Sequence, residues 1–225
     1  MRIDISKIKL KKIDIVQDLI FPERITSELA EETGLHIGDG SMNFYKSGNN
    51  LKGFYSLRGH IIDDRKHYEG RIKELYRNVY NLKIPIREMP VTGVFGFQVW
   101  SDYLVLFKNK ILNLPLGKKL NVKIPSQFLK KKEFSIAVVR GIYDTDGTLY
   151  LEKKNKKLYP RIQLDNISEV LSLQIQMVLK ELGAYKNFKG QFVERRMKKM
   201  RKDFQKEGID HYDDISVAAI CMGKE

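Results

Sequence analysis

Apolar positions along the chain fall into two matching helical stripes. Tyr68, Ile72, Leu75, Tyr76 and Val79 recur at helical spacing, and Leu171, Ile175, Val178, Leu179 and Leu182 repeat the pattern 103 residues later. Ser168 is placed to cap the second helix, and Gly183 to stop it. Shorter runs around them read as strands: Tyr55 to Ile62, Val94 to Trp100, Arg161 to Asp165 and Ile215 to Met222. Lys153 to Lys157 reads as a charged turn. Tyr103 to Leu114, after Ser101-Asp102, reads as a capped helix. A polar connector bracketed by Pro115 and Pro125 divides the chain, so that each half reads α-β-β-α-β.

A second repeat lies just ahead of the stripes. Gly34-Leu35-His36-Ile37-Gly38-Asp39-Gly40-Ser41 is echoed by Gly141-Ile142-Tyr143-Asp144-Thr145-Asp146-Gly147-Thr148, with Asp39 and Asp146 107 residues apart. The change in offset predicts loops differing by four residues between motif and helix. In the first copy, a helix starting near Thr26 or Ser27 puts Gly34 and Gly38 one turn apart on one face. Gly141 and Thr145 hold the same places in the second. Small residues at that spacing let two helix backbones approach closely. Gly40 and Gly147 are then expected to end the helices in left-handed turns. That pairing predicts Asp39 and Asp146 side by side at two helix C-termini. Two carboxylates and two negative dipole ends repel, and a hard divalent cation with oxygen ligands resolves the conflict. A single Asp-Gly step is an ordinary turn signal; two with matching flanks are not so easily dismissed.

Charge sharpens the picture. The 225 residues include 41 Lys and Arg against 28 Asp and Glu, a net charge of +13, which points to a polyanionic partner. A Lys-rich surface for solubility is the plainer alternative. Composition is that of a folded protein, at 42% hydrophobic and 31% charged residues. No uninterrupted apolar run is long enough for a membrane helix, and no basic helix has the apolar face of a membrane binder. The lone Cys221 excludes a disulfide framework and a cysteine zinc site, so an intracellular, cytoplasmic protein is expected.

The paired motif resembles that of the two-repeat LAGLIDADG homing endonucleases. Val139 to Gly147 matches the nine-residue motif, and Glu32 to Gly40 matches its last half, with Ile37 in place of the earlier acid. The lead-in Phe21 to Ala30 looks like that of archaeal members, and the connector Leu114 to Lys119 with Ile124-Pro125 is also similar. The resemblance spans roughly residues 20 to 222. It implies an α+β fold: two pseudo-twofold α-β-β-α-β repeats packed through their motif helices, with the sheets forming a DNA-binding saddle. Domain limits follow as an N-terminal extension (1–24), a first repeat (25–114), a linker (115–134) and a second repeat (135–225) without a last helix. The resemblance further implies a monomeric, Mg²⁺- or Mn²⁺-dependent endonuclease acting on double-stranded DNA. Asp39 and Asp146 would hold the metals, with backbone carbonyls from Gly38 and Thr145. Asp144 would cap or pack. Gln163 is placed to position water, and the stripe offset makes His60 its first-half equivalent. Lys224 stands near the family's active-site lysine, which has no counterpart at Trp100-Ser101-Asp102.

The strands carry cations for phosphate contact: Lys46, Lys52 and Arg58 on the first hairpin, and Lys153, Lys154, Lys156, Lys157 and Arg161 on the second. A further basic run extends from Lys186 to Lys202. The alternative function is a non-cleaving nucleic-acid binder on the same scaffold, an RNA maturase with structured RNA as partner or a DNA-binding relic. The pattern allows an intron-encoded origin. Met1 and the lack of intein splice residues lead us to expect a free-standing protein.

Overall fold

A computed structural model of the chain describes residues 2–6, 8, 18–154, 157–164, 166 and 168–182. The described residues form two compact units, one from those up to 119 together with 124–145, the other from 120–123 together with those between 146 and 182.

In the first unit, α1 (Ser27–Gly38) starts where the sequence places it. The extended Thr26 accepts a hydrogen bond from the Leu29 N–H at 3.1 Å, which satisfies one of the free donors of the first turn. The helix gives way at Asp39 to β1 (Gly40–Ser47), which pairs antiparallel with β2 (Asn50–His60). A two-residue turn joins them, with Gly48 at φ 61°. Helix α2 follows as Arg65–His67, a π turn Tyr68–Ile72 and Lys73–Tyr80. Its stripe residues Tyr68, Ile72, Leu75, Tyr76 and Val79 are all buried, as the periodicity predicts. Then come β3 (Arg87–Met89) and β4 (Val94–Trp100), giving an antiparallel sheet of order β1-β2-β4-β3. Helix α3 (Asp102–Leu106) is capped by Ser101, which accepts from Leu104 N–H at 3.0 Å. It continues as a π turn, Phe107–Ile111.

The second motif helix is α4 (Lys132–Asp146). The connectivity predicts it as part of the second repeat, yet through Thr145 it groups with the first unit. The reason is its contact with α1, described below. Segments ahead of α1 also join this core: Ile3 and Leu19 are buried, and Phe21 lies edge-on to Tyr103 with ring centroids 3.9 Å apart.

The second unit contains β5 (Gly147–Lys154), β6 (Lys157–Leu164) and α5 (Glu169–Glu181). Ser168 caps α5, accepting from Leu171 N–H, and its hydroxyl donates to the Val122 carbonyl at 2.7 Å. Leu171, Ile175, Val178 and Leu179 are buried along the expected stripe. The mixed α+β class with antiparallel sheets is thus as the sequence implies. The Ile215–Met222 strand, Lys186–Lys202 and Gly183 lie outside the described residues. Among the described residues no helix is long and apolar enough to cross a membrane.

Two expectations are corrected. Gly40 is not in a left-handed turn. It opens β1, and a Cβ there would collide with His36, so glycine is needed for close approach rather than for φ. Second, Gly40 pairs with Leu57 and Gly147 with Leu164, so both hairpins keep the 107-residue offset. The first-half equivalent of Gln163 is therefore Ser56, opposite Ser41 as Gln163 is opposite Thr148. The four-residue difference falls after the hairpin, where β2 runs on to His60.

Candidate metal-binding helix ends and nucleic-acid interface

Helices α1 and α4 cross with their backbones in contact. A Cβ on Gly34 would press into the Val138 carbonyl and lie 3.0 Å from the Gly141 Cα; one on Gly141 would press into the Glu31 carbonyl. Of the small residues expected at this contact, Gly34 and Gly141 make it, and the crossing point is Gly34 on Gly141.

Glu31 and Glu32 reinforce the crossing. Glu31 is 2% exposed and takes a forked pair of hydrogen bonds from Arg71 of α2, at 2.9 and 2.6 Å, and another from Arg140 of α4. Burial alone would raise its carboxyl pKa, but the bonds and charges of Arg71 and Arg140 outweigh burial and hold it below the ordinary value. Glu32 is fully buried. It pairs with Lys108, also fully buried, and accepts from the Tyr80 hydroxyl at 2.7 Å. Lys108 sits over the Tyr55 ring at 4.9 Å. Burial lowers the Lys108 pKa against the pull of Glu32. Neither glutamate stands out in the sequence, because both lie inside the motif helix and their partners come from three separate helices.

Each crossing helix ends in an Asp. Asp39 caps α1, half-buried, its N–H bonded to the Leu35 carbonyl at 3.0 Å. Its charge adds to burial in raising the pKa of the nearby Tyr68, whose hydroxyl therefore stays protonated. Lys119, from the connector, brings its ammonium to the α1 terminus. It donates to the carbonyls of His36 (3.2 Å), Ile37 (2.8 Å) and Gly38. The sequence marks this residue only as the end of the connector Leu114 to Lys119, and folding alone brings it to the helix end. His36 is buried, stacked on Tyr55, and kept neutral by burial and by the charges of Lys108 and Lys119. Asp146 is the last residue of α4 and is half-buried. The Thr145 hydroxyl donates back to the Gly141 and Ile142 carbonyls at 3.2 and 2.9 Å.

These donors suit a hard cation. The Lys119 ammonium shows that the carbonyl end of α1 attracts positive charge, and Asp39 caps that end. Among the described residues no three His, Cys, Asp or Glu side chains gather into a metal cage. Mg²⁺ needs none, since it takes one or two carboxylates and completes its shell with water and substrate phosphate. The Gly38 carbonyl assigned to a metal is bonded to Lys119 in this structure.

His60 ends β2, is exposed, and has Nδ1 2.9 Å from the Asp63 carboxylate. Gln163 is half-buried in β6. Lys224 and Lys156 lie outside the described residues. Lys153 is exposed near the end of β5; Lys154 closes that strand, Lys157 opens β6, and Arg161 pairs with Tyr150.

The register sorts the first hairpin by face. Met42, Phe44, Tyr55, Leu57, Phe95, Phe97 and Val99 share the face that packs into the core. The opposite, open face carries Lys52, Arg58 and His60 from β2, Gln98 and Trp100 from β4, and Arg87 from β3. No strand position on this face is Asp or Glu. Arg87 donates to Gln98 Oε1 at 2.9 Å, which fixes both side chains across the strands. Lys46 pairs with Leu51 and belongs to the other face, at the hairpin tip.

Residues 133–204 match the family model described as a LAGLIDADG-like domain. No curated protein matches the chain in sequence. Among solved structures, the homing endonuclease I-DmoI in complex with DNA and Ca is similar, at 21% identity and a TM-score of 0.50, covering 70% of this chain and 72% of that one. The I-LtrWI LAGLIDADG homing endonuclease bound to target DNA is 14% identical, with a TM-score of 0.45, covering 68% and 72%. The LAGLIDADG meganuclease I-AabMI bound to uncleaved DNA is 12% identical, with a TM-score of 0.43, covering 70% and 73%. The family resemblance is borne out over residues 133–204, which hold the second copy of the motif, and the likeness to I-DmoI is one of fold.

Proposed function

We propose that this chain, whose residues 133–204 match a LAGLIDADG-like domain, is a site-specific endonuclease that hydrolyses phosphodiester bonds of double-stranded DNA. The observation that carries the reading is the crossing of α1 and α4 at Gly34 and Gly141, each helix ending in an Asp-Gly step that leads into a β-hairpin. A carboxylate at the negative C-terminal end of each helix opposes the helix dipole, and a bound divalent cation offsets that repulsion. The complex of I-DmoI with DNA and Ca supports DNA as the substrate.

In this reading Asp39 and Asp146 hold divalent ions, with carbonyl help from Gly38 and Thr145. Mg²⁺ or Mn²⁺, when bound, would supply charge stabilisation at the scissile phosphate and lower the pKa of the attacking water. The remaining roles belong to the chain. Lys119 contributes a fixed positive charge beside Asp39. Lys52, Arg58 and Arg87 meet backbone phosphates from the open face of the first sheet, and the second hairpin contributes Lys153, Lys154, Lys156, Lys157 and Arg161. Phosphate contacts of this kind set affinity and register, while groove contacts set sequence choice. His60, Gln163 and Lys224 orient water or screen charge at the reacting phosphate. The protein works as an intracellular monomer, organised as two LAGLIDADG repeats about the connector.

A second reading, a non-cleaving binder of DNA or structured RNA, is favoured by one observation: the Lys119 ammonium stands on the Gly38 carbonyl. A fixed cation there can replace a metal structurally without doing its chemistry. The two separate on a plasmid library of randomised sites with Mg²⁺. The endonuclease yields double-strand breaks at one class of site. Duplex binding with no break at any site would leave the binder.

A further inference from the structure

Three aromatic rings stand together on the open face of the first sheet. Phe54 and Trp100 are direct cross-strand partners, and Tyr45 lies diagonally across β1. Their ring centroids are 5.0 Å (Phe54–Trp100), 5.8 Å (Tyr45–Phe54) and 6.3 Å (Tyr45–Trp100) apart. Tyr45 is 49% exposed and Trp100 48%. Lys52 pairs with Tyr45 along the same face. Two exposed rings packed on a half-buried third, among cations and on a face without strand carboxylates, are a contact surface left open to a partner.

Charge complementarity identifies that partner as a polyanion, and the rings identify which part of it. In the major groove of a duplex the base edges offer hydrogen-bonding groups and one apolar group, the 5-methyl of thymine. We propose that Tyr45, Phe54 and Trp100 form a specificity element that reads thymine methyl groups in the major groove; this rests on the duplex-binding function proposed above. The ring geometry argues against a platform for unpaired bases. Stacking along a single strand uses exposed ring faces lying parallel to successive bases. Here the three rings are tilted by 63°, 75° and 81° to one another and pack edge to face, so they present a compact apolar ridge.

Trp100 is the sole tryptophan of the chain, so its emission reports on this cluster alone. Preferred duplexes are first selected from a randomised library, and Trp100 fluorescence is followed on titration with them. Each thymine of the selected site is then replaced by deoxyuracil, which removes only the methyl. The expected result is a change in Trp100 emission on binding, and a loss of about fourfold in affinity for each contacted methyl. Trp100→Ser should bind thymine and uracil duplexes alike while keeping the parent's melting temperature. If that variant unfolds, Tyr45→Ser, at the exposed margin of the cluster, carries the same comparison. Duplex binding with unchanged emission and no uracil effect overturns the proposal and leaves the DNA-binding function standing. No duplex binding removes both. A stronger emission change with single-stranded RNA than with duplex overturns it in favour of a stacking surface.

Discussion

Gly34 of α1 and Gly141 of α4 meet backbone to backbone, so that a methyl group on Gly34 would run into the Val138 carbonyl and one on Gly141 into the Glu31 carbonyl. A side chain at either position must separate the two helices. Gly34→Ala should therefore destabilise the protein by about 1–3 kcal/mol, lowering the melting temperature by several degrees. Gly70, in the π turn of α2 with nothing within 4 Å of its added Cβ, is the control. Gly70→Ala should be neutral or stabilising by up to about 1 kcal/mol. Equal effects in thermal unfolding would contradict the crossing.

Asp39 and Asp146 end the two crossing helices. If they hold the divalent ions, Asp39→Asn or Asp146→Asn should abolish double-strand cleavage, while duplex affinity stays within a few-fold of the parent. Cleavage assays and gel-shift titrations on the same selected site separate the two quantities. A variant that cuts as well as the parent would remove its residue from the site.

Lys119 donates to three carbonyls at the end of α1. Removing that charge with Lys119→Met should cost about 0.3–2 kcal/mol in metal-free buffer, the range for a cation at a helix C-terminus. It should also enlarge the stabilisation by Mg²⁺, because ammonium and metal compete for the Gly38 carbonyl. Melting curves across a Mg²⁺ series check both. An Mg²⁺ response identical to the parent's would mean that the metal does not use that carbonyl.

Glu32 and Lys108 are a buried ion pair with no access to water. Lys108→Met leaves the carboxylate uncompensated and should cost about 3–5 kcal/mol. Adding Glu32→Gln to that variant should restore part of the loss, since no buried charge remains. A double variant less stable than Lys108→Met alone would show that Glu32 stabilises through other contacts.

Glu31 titrates below its ordinary value of 4.5 in the folded protein because Arg71 and Arg140 stabilise its charge. The unfolded chain therefore binds this proton first as pH falls. The contribution of Glu31 to stability is complete above about pH 4.5 and is lost as pH drops toward the folded pKa. Urea unfolding between pH 6 and 3 should show this decline, and Arg71→Met should flatten it. An unchanged slope in that variant would place the acid sensitivity elsewhere.

The stripes of α2 and α5, the Thr26, Ser101 and Ser168 caps and the small-residue motif were legible in the sequence because each depends on neighbours within a few residues. So was the 107-residue repeat, whose equal hairpins require only equal strand lengths. Chemistry that depends on distant partners was not legible. Ser56 rather than His60 matches Gln163, because strand register, not helical phase, fixes the correspondence. Gly40 reads as a turn glycine until His36 is seen occupying its Cβ position. Glu31, Glu32, Lys108 and Lys119 look like ordinary surface charges in the sequence. They become a buried network and a helix cap only when four helices and a connector converge, because burial and ion pairing are properties of the surroundings and not of the residue.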